Sequence, residues 1–205
     1  MTDIPSAKWA IRREVVARIL AMDPAARRRQ EAELHGRLPE LPGFEGAGLV
    51  LLFASAFPEE YDTFPILRRA LGQGKRVACP RVDRATGRLR LYLIEDPARD
   101  FQPGMMGIPE PLRERPEISP ASIDWALVPG LAFDDDAYRL GRGRGHYDRL
   151  LPALPLDCPR WALALDPQWI DALPREPHDQ PLDGVAGPGR TLERDRPRPD
   201  KISGL

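Results

Sequence analysis

The chain is short of lysine, cysteine and long apolar runs, and it has almost no net charge. Of its 30 basic residues only Lys8, Lys75 and Lys201 are lysine, so the other 27 are arginine. The two cysteines, Cys79 and Cys158, supply neither a disulfide framework nor a zinc site, and suit a reducing compartment. With 30 Lys+Arg against 31 Asp+Glu the formal charge is -1, which argues against a surface built to coat nucleic acid. The longest apolar stretch, Leu49 to Ala54 with Ala56 and Phe57 beyond Ser55, falls far below the ~20 residues of a membrane span. The opening residues Met1-Thr2-Asp3-Ile4-Pro5 carry neither the basic nor the apolar region of a signal peptide, so a cytoplasmic protein is expected.

Proline is abundant: 24 in 205 residues, about 12% against a usual ~5%. A folded chain with so many breakers has short elements and ordered turns. Hydrophobic residues at 42% and charged residues at 30% place the chain with soluble globular proteins. Its length suits a single domain, which can bury about 70% of the surface its unfolded chain exposes.

The pattern along the chain alternates between buried strands and helices. Ser6 is placed to cap a helix to about Met22, with Ile11, Val15, Ile19 and Met22 on one face. Asp23-Pro24 reads as the cap and first residue of a second, mostly polar helix ending near Gly36. Gly48–Phe53, Arg76–Pro80, Asp124–Pro129 and Trp161–Leu165 are apolar runs of strand length, as expected for strands covered on both faces. Thr63–Leu71 reads as a helix stopped by Gly72, and a short helix is expected from about Gly145 to Leu151. In Arg88–Ile94 the leucines at 89, 91 and 93 alternate with polar residues, which predicts a half-exposed edge strand. Residues 95–122 read as loop and Val185-Ala186 as the remnant of a further strand. Strands alternating with helices predict an α/β fold around a mainly parallel sheet, occupying residues 1–186. A Pro/Arg-rich polar tail, loosely ordered, is expected over residues 187–205.

The most pointed segment is Arg139-Leu140-Gly141-Arg142-Gly143-Arg144-Gly145-His146-Tyr147-Asp148. Alternate glycines permit backbone angles barred to other residues and turn N–H groups inward, and a helix start follows, so the segment suits phosphate. Arg139, Arg142 and Arg144 add guanidinium forks that match phosphate geometry. It is not a Walker A loop, and a flexible surface loop has the same composition. Asp148, one turn into the helix, can hold Mg²⁺ beside a phosphate or simply favour the helix dipole. Lys8 and Arg12 lie four apart on one helix and can share an anion or stay solvated. Glu60 precedes a helix, where it can bind an N–H-rich ligand or cap the helix beside Asp62. His178-Asp179 can reach a metal or tie down a loop.

Together these segments resemble the 5-formyltetrahydrofolate cyclo-ligase family, also called 5,10-methenyltetrahydrofolate synthetases. The resemblance runs in order from Lys8-x-x-x-Arg12 through Glu60-Tyr61-Asp62-Thr63, Gly74-Lys75-Arg76-Val77-x-x-Pro80 and Gly107-Ile108-Pro109-Glu110-Pro111. It is densest from Val128-Pro129-Gly130-Leu131-Ala132-Phe133 through Arg139–Asp148, and continues through Gln168 and Pro174–Asp183. It implies a three-layer α/β/α sandwich and an ATP- and Mg²⁺-dependent closure of 5-formyltetrahydrofolate to 5,10-methenyltetrahydrofolate, with release of ADP and phosphate. In the family the formyl oxygen attacks the γ-phosphorus, N10 adds to the activated carbon, and phosphate leaves.

Carried onto this chain, the resemblance implies ATP contacts from Lys8, Arg12, Arg139, Leu140, Gly141, Arg142, Gly143, Arg144, Gly145, His146 and Tyr147. It implies folate contacts from Ser55, Glu60, Arg142, Gly143, Arg144, Gly145 and His146, with Arg142, Arg144, His146 and Tyr147 nearest the chemistry. Asp148 and Asp179 would hold Mg²⁺. Folate polyglutamates and ATP are the implied ligands, a monomer the implied state, and neither nucleic acid nor membrane an expected partner. Two departures stand out. His146 takes the place of the first of two tyrosines, and imidazole changes charge near neutrality. Asp134-Asp135-Asp136-Ala137-Tyr138 lacks the usual turn glycine before Arg139.

The rival readings are a non-catalytic paralogue that binds folate or nucleotide, an RNA-associated protein using the arginine-rich loop and tail, and a phosphate-binding hydrolase. Lys8, Glu60 and Asp148 argue against the first, the balanced charge against the second. No Cys/His or Ser/His pairing of nucleophilic type supports the third.

Overall fold

The structure is a computed structural model and describes residues 3–195. In chain order its elements are α1 (Ile4–Leu20), α2 (Pro24–Arg37), β1 (Leu49–Leu51), α3 (Phe64–Gly72), β2 (Arg76–Val82) and β3 (Leu89–Ile94). There follow β4 (Phe101–Pro103), β5 (Pro109–Pro111), β6 (Glu117–Ile118), β7 (Trp125–Leu127), β8 (Ala132–Phe133) and β9 (Arg139–Leu140). The chain closes with α4 (His146–Leu150), β10 (Arg160–Leu163), β11 (Gly184–Gly187) and β12 (Arg190–Glu193). Turn chemistry sets the helix starts. Asp3, not Ser6, caps α1: its carboxylate accepts from the Ser6 N–H at 2.8 Å, and Pro5 sits in the first turn, where its missing N–H costs nothing. Asp23 caps α2 by accepting from the Ala25 and Ala26 N–H groups.

The main sheet runs β12-β11-β10-β7-β1-β2-β3-β6. Its centre, β11-β10-β7-β1-β2, is parallel, and β12, β3 and β6 are antiparallel additions at the two sides. Alternate residues serve opposite layers. Val50, Val77, Trp125, Leu127 and Leu163 pack with Val15 and Ile19 of α1, Leu34 of α2, and Ile66, Leu67 and Ala70 of α3. Leu49, Leu51, Ala78, Ala126 and Ala162 face the other way, where Leu150 of α4 and Leu151 cover them. This is the expected α/β layering, with helices on both faces of the sheet.

Three further details differ from the sequence reading. β3 is not an edge, because the two-residue β6 pairs outside it. Residues 95–122 hold that strand and a β4–β5 hairpin. The tail expected from residue 187 begins instead as β12, which pairs with β11 from Gly187↔Arg190 to Gly184↔Glu193. The remainder of that segment, from residue 196, lies outside the described residues. Among the described residues no helix is long and apolar enough to cross a membrane.

Candidate functional site

From β1 the sheet grows one way to β2 and the other way to β7, so the strand order reverses between β1 and β7. In open α/β sheets that reversal leaves a crevice at the carboxyl ends of the strands. A cleft of about 560 Å³ opens there, lined from the loops after β1, β7, β9 and β10, from Lys8 and Arg12 of α1, and from the β4–β5 hairpin. A cleft of this size is in the range of small-molecule sites.

The glycine loop between β9 and α4 forms one wall. Its curvature depends on Gly143 at φ 91° and Gly145 at φ 63°, left-handed positions where a side chain is strained. Arg12 anchors the loop by donating from Nε to the Gly141 carbonyl at 2.8 Å, and burial lowers its pKa despite the opposing charges of Asp179 and Glu176. Arg139 enters from below, donating to Asp148 Oδ1 at 2.9 Å with its guanidinium 5.6 Å from the centre of the Tyr147 ring. Burial likewise lowers the Arg139 pKa, against the pull of Asp148. Leu140 is buried, paired with Ala132 in the β8–β9 ladder. Arg144 is exposed at the tip, its carbonyl accepting from Arg149 at 3.0 Å.

His146 donates from Nδ1 to the Gly87 carbonyl at 2.8 Å, a bond shared with Arg149 at 2.9 Å. This fixes the ring and leaves Nε2 as its uncommitted nitrogen. Tyr147 has its hydroxyl enclosed without a hydrogen-bond partner among the described residues. Burial raises that phenol well above its ordinary range. An enclosed hydroxyl without a partner is costly unless a ligand supplies one.

Lys8, only 6% exposed, donates to Asp179 Oδ2 at 2.6 Å and to Glu176 Oε2 at 2.8 Å. Burial works to raise the Asp179 carboxyl, but hydrogen bonds from Lys8 and the Glu176 N–H, with the Lys8 charge, hold it below the usual range. Lys8 moves the other way: burial opposes its charge, and the two carboxylates outweigh that and raise it. Asp148 and Asp179 line the same cleft, each paired with a cation. Among the described residues, Glu176, His178 and Asp179 form a group whose ligand atoms lie within 4.8 Å of one another.

The facing wall comes from the loop after β1. Glu60 accepts from the Ala56 N–H at 2.8 Å and the Phe57 N–H at 3.3 Å through Oε2, and from Arg142 Nη2 at 3.0 Å through Oε1. The helix-capping alternative falls to Asp62, which accepts from the Phe64 N–H at 2.9 Å. Ser55 does not line the cleft. Its hydroxyl accepts from the Thr63 N–H and its N–H donates to the Thr63 hydroxyl, a clasp that closes the loop. The other expected residues all line the cleft. Sequence reasoning missed Phe57, Glu59, Met105 and Met106 as contributors. Phe57 and Glu59 stood beside Glu60 in the chain, whereas the methionines carry no signal until the hairpin folds over the cleft.

Comparison with known proteins gives consistent findings. The 5-formyltetrahydrofolate cyclo-ligase family matches residues 4–188. The 5-formyltetrahydrofolate cyclo-ligase of Escherichia coli (strain K12) is 29% identical over 182 residues, covering 84% of this chain and 96% of that protein. The protein of the same name from Mus musculus is 28% identical over 196 residues, covering 89% and 94%. Among solved structures, the NMR structure of Aquifex aeolicus 5,10-methenyltetrahydrofolate synthetase matches with TM-score 0.79 at 29% identity, covering 96% of this chain and 97% of that one. The 5,10-methenyltetrahydrofolate synthetase of Mycoplasma pneumoniae, at 22% identity and TM-score 0.68, shares the fold.

Proposed function

The chain belongs to the 5-formyltetrahydrofolate cyclo-ligase family, and from that membership we propose that it closes 5-formyltetrahydrofolate to 5,10-methenyltetrahydrofolate at the expense of ATP. The observation that carries this reading is a single cleft that collects the glycine–arginine loop, the Asp148 and Asp179 carboxylates and Glu60. A reaction between a triphosphate and a folate needs both halves in one enclosure.

In this reading the substrate's formyl oxygen attacks the γ-phosphorus and ADP departs. N10 then adds to the activated carbon, loses its proton, and phosphate leaves as the methenyl ring forms. An amide oxygen leaves poorly, and phosphorylation makes it a good leaving group. The protein's share is positioning and charge neutralisation. Arg142, Arg144 and the loop N–H groups bind the phosphates, with Lys8, Arg12 and Arg139 behind them. Glu60 accepts from the N–H edge of the folate. With Nδ1 donating to Gly87, the neutral His146 ring offers Nε2 as an acceptor for a ligand N–H or O–H, and the unpartnered Tyr147 hydroxyl is a donor for a ligand oxygen. Asp148 and Asp179 are hard oxygen donors beside the loop and fit Mg²⁺, which takes one or two protein carboxylates and completes its shell from phosphate and water. Bound there, Mg²⁺ would offset charge on the phosphate oxygens.

The test is near-UV absorbance of the purified protein with 5-formyltetrahydrofolate, ATP and Mg²⁺ at mildly acidic pH, where the methenyl product persists. A methenyl band that needs both ATP and Mg²⁺ is expected. Asp148→Ala should lower the rate by at least about 100-fold, the scale on which a lost electrostatic partner of the transition state is felt. ATP bound by the folded wild-type protein with no band would contradict the reading.

A further inference from the structure

Glu59 lies beside the cleft with a side chain only 8% exposed, and neither the glycine loop nor the family resemblance gives it a task. Its Oε1 lies 2.9 Å from Arg142 Nη1, while Arg142 Nη2 donates to Glu60 Oε1 at 3.0 Å. The Arg142 guanidinium carbon sits 3.5 Å from the centre of the Phe57 ring. One planar fork from the loop after β9 is therefore held by two adjacent carboxylates and a ring, all from the loop after β1. The two carboxylates are not equivalent. Glu60 Oε2 is committed to the Ala56 and Phe57 N–H groups, so Oε1 is the oxygen through which Glu60 can meet a ligand, and Arg142 holds it.

We propose that Glu59 is a positioning residue that keeps Arg142 on the cleft wall when substrate takes Glu60. This rests on Glu60 serving the folate and Arg142 serving the phosphates and formyl group. A folate N–H that binds Glu60 Oε1 competes with Arg142 Nη2 for that oxygen. With Glu59 in place, Nη1 keeps a charged partner, the Phe57 face keeps its cation, and the released Nη2 is turned loose beside the glycine loop, where phosphate arrives. Without the Glu59 charge, Glu60 becomes the sole carboxylate on the fork, and substrate must compete with a guanidinium that has no other charged partner there. A bond to an ionised partner exceeds one to a neutral partner by enough for about a tenfold change in an equilibrium. Glu59 thus lowers the cost of exchanging an internal ion pair for substrate, and its effect falls on the folate.

The experiment compares wild type, Glu59→Gln and Glu59→Asp by the methenyl absorbance assay, with KM measured separately for 5-formyltetrahydrofolate and for ATP. Glu59→Gln should raise the folate KM about tenfold and leave the ATP KM within about twofold. Glu59→Asp, which retains the charge on a shorter arm, should fall between. In an Arg142→Gln background Glu59→Gln should have no further effect on the folate KM, because nothing remains to be held. An unchanged folate KM in Glu59→Gln, equal rises in both KM values, or a Glu59 effect that persists without Arg142 would overturn the proposal. If Glu59→Gln does not fold, Glu59→Asp carries the same test with a smaller rise. Wild-type protein that forms no methenyl product would instead overturn the functional reading itself, so the two failures are told apart by the wild-type trace.

Discussion

Cys79 sits in β2 between the sheet and the helix layer, and Cys158 lies in the loop before β10, both free thiols and both buried. Burial raises both, Cys158 to about 12 and Cys79 further. A thiol raised in the folded state contributes stability that is fully present below the unfolded pKa of ~8.5 and is lost as pH rises toward the folded value. Unfolding free energy should therefore fall above about pH 8.5, by up to about 1.4 kcal/mol per pH unit for each cysteine. Urea titrations between pH 7 and 10 check this, and Cys79→Ala with Cys158→Ala should flatten the fall. An identical alkaline slope in the double variant would show that other groups cause it. Other single residues carry local geometry. Lys75 donates from Nζ to the carbonyls of Phe44, Glu45 and Ala47, closing the turn before β1. At the turn lacking its glycine, Ala137 takes φ 59° itself. Its neighbour Asp134, fully buried, accepts from the Asp136, Tyr138 and Leu173 N–H groups and from Arg175. Those four bonds offset the strain of a left-handed alanine, which is of order 1–2 kcal/mol.

At the scale of elements, β11 shows how closely the sheet is built. A Cβ at Gly184 would stand 2.3 Å from the Trp161 ring and 2.7 Å from the Leu192 carbonyl of β12. Gly184→Ala should cost about 1–3 kcal/mol, the range for overpacking a filled core, and a melting curve measures it. Stability equal to wild type would mean that β12 lifts away easily. The same strand pair marks where the sequence became illegible. Continuous apolar runs announced β1, β7 and β10, because strands covered on both faces need apolar side chains throughout. β12, Arg190-Thr191-Leu192-Glu193, is largely exposed and has no such need; its pairing with β11 is decided by backbone hydrogen bonds that leave no hydrophobic signature. β3 read as a half-exposed edge because its leucines alternate with polar residues, yet two residues of β6 close it off and Tyr92, on the polar side, is buried.

Across the whole molecule the cleft is assembled from segments far apart in the chain, so its composition was more legible than its wiring. The glycine loop, Lys8, Glu60 and Asp148 stood out by residue type and by their matches to a family motif. That Lys8 would be bound to Asp179, 171 residues away, or that Arg142 would reach back to Glu59 and Glu60, follows only from the order of strands at the switch point. Ser55, expected at the ligand, is bonded reciprocally to Thr63 across its own loop, a pairing that its residue type does not announce. Sequence carries residue types; the reversal of strand order between β1 and β7 decides which of them meet.

The central claim is that the two substrates meet in this cleft and that the phosphoryl group passes to the formyl oxygen. It is tested most directly by running the reaction with 5-formyltetrahydrofolate labelled with ¹⁸O in the formyl group and analysing the released phosphate by mass spectrometry. The account predicts one ¹⁸O in each phosphate formed and none in ADP. Phosphate carrying only oxygen from ATP and solvent would contradict it, because the formyl oxygen would then have left without ever bonding phosphorus.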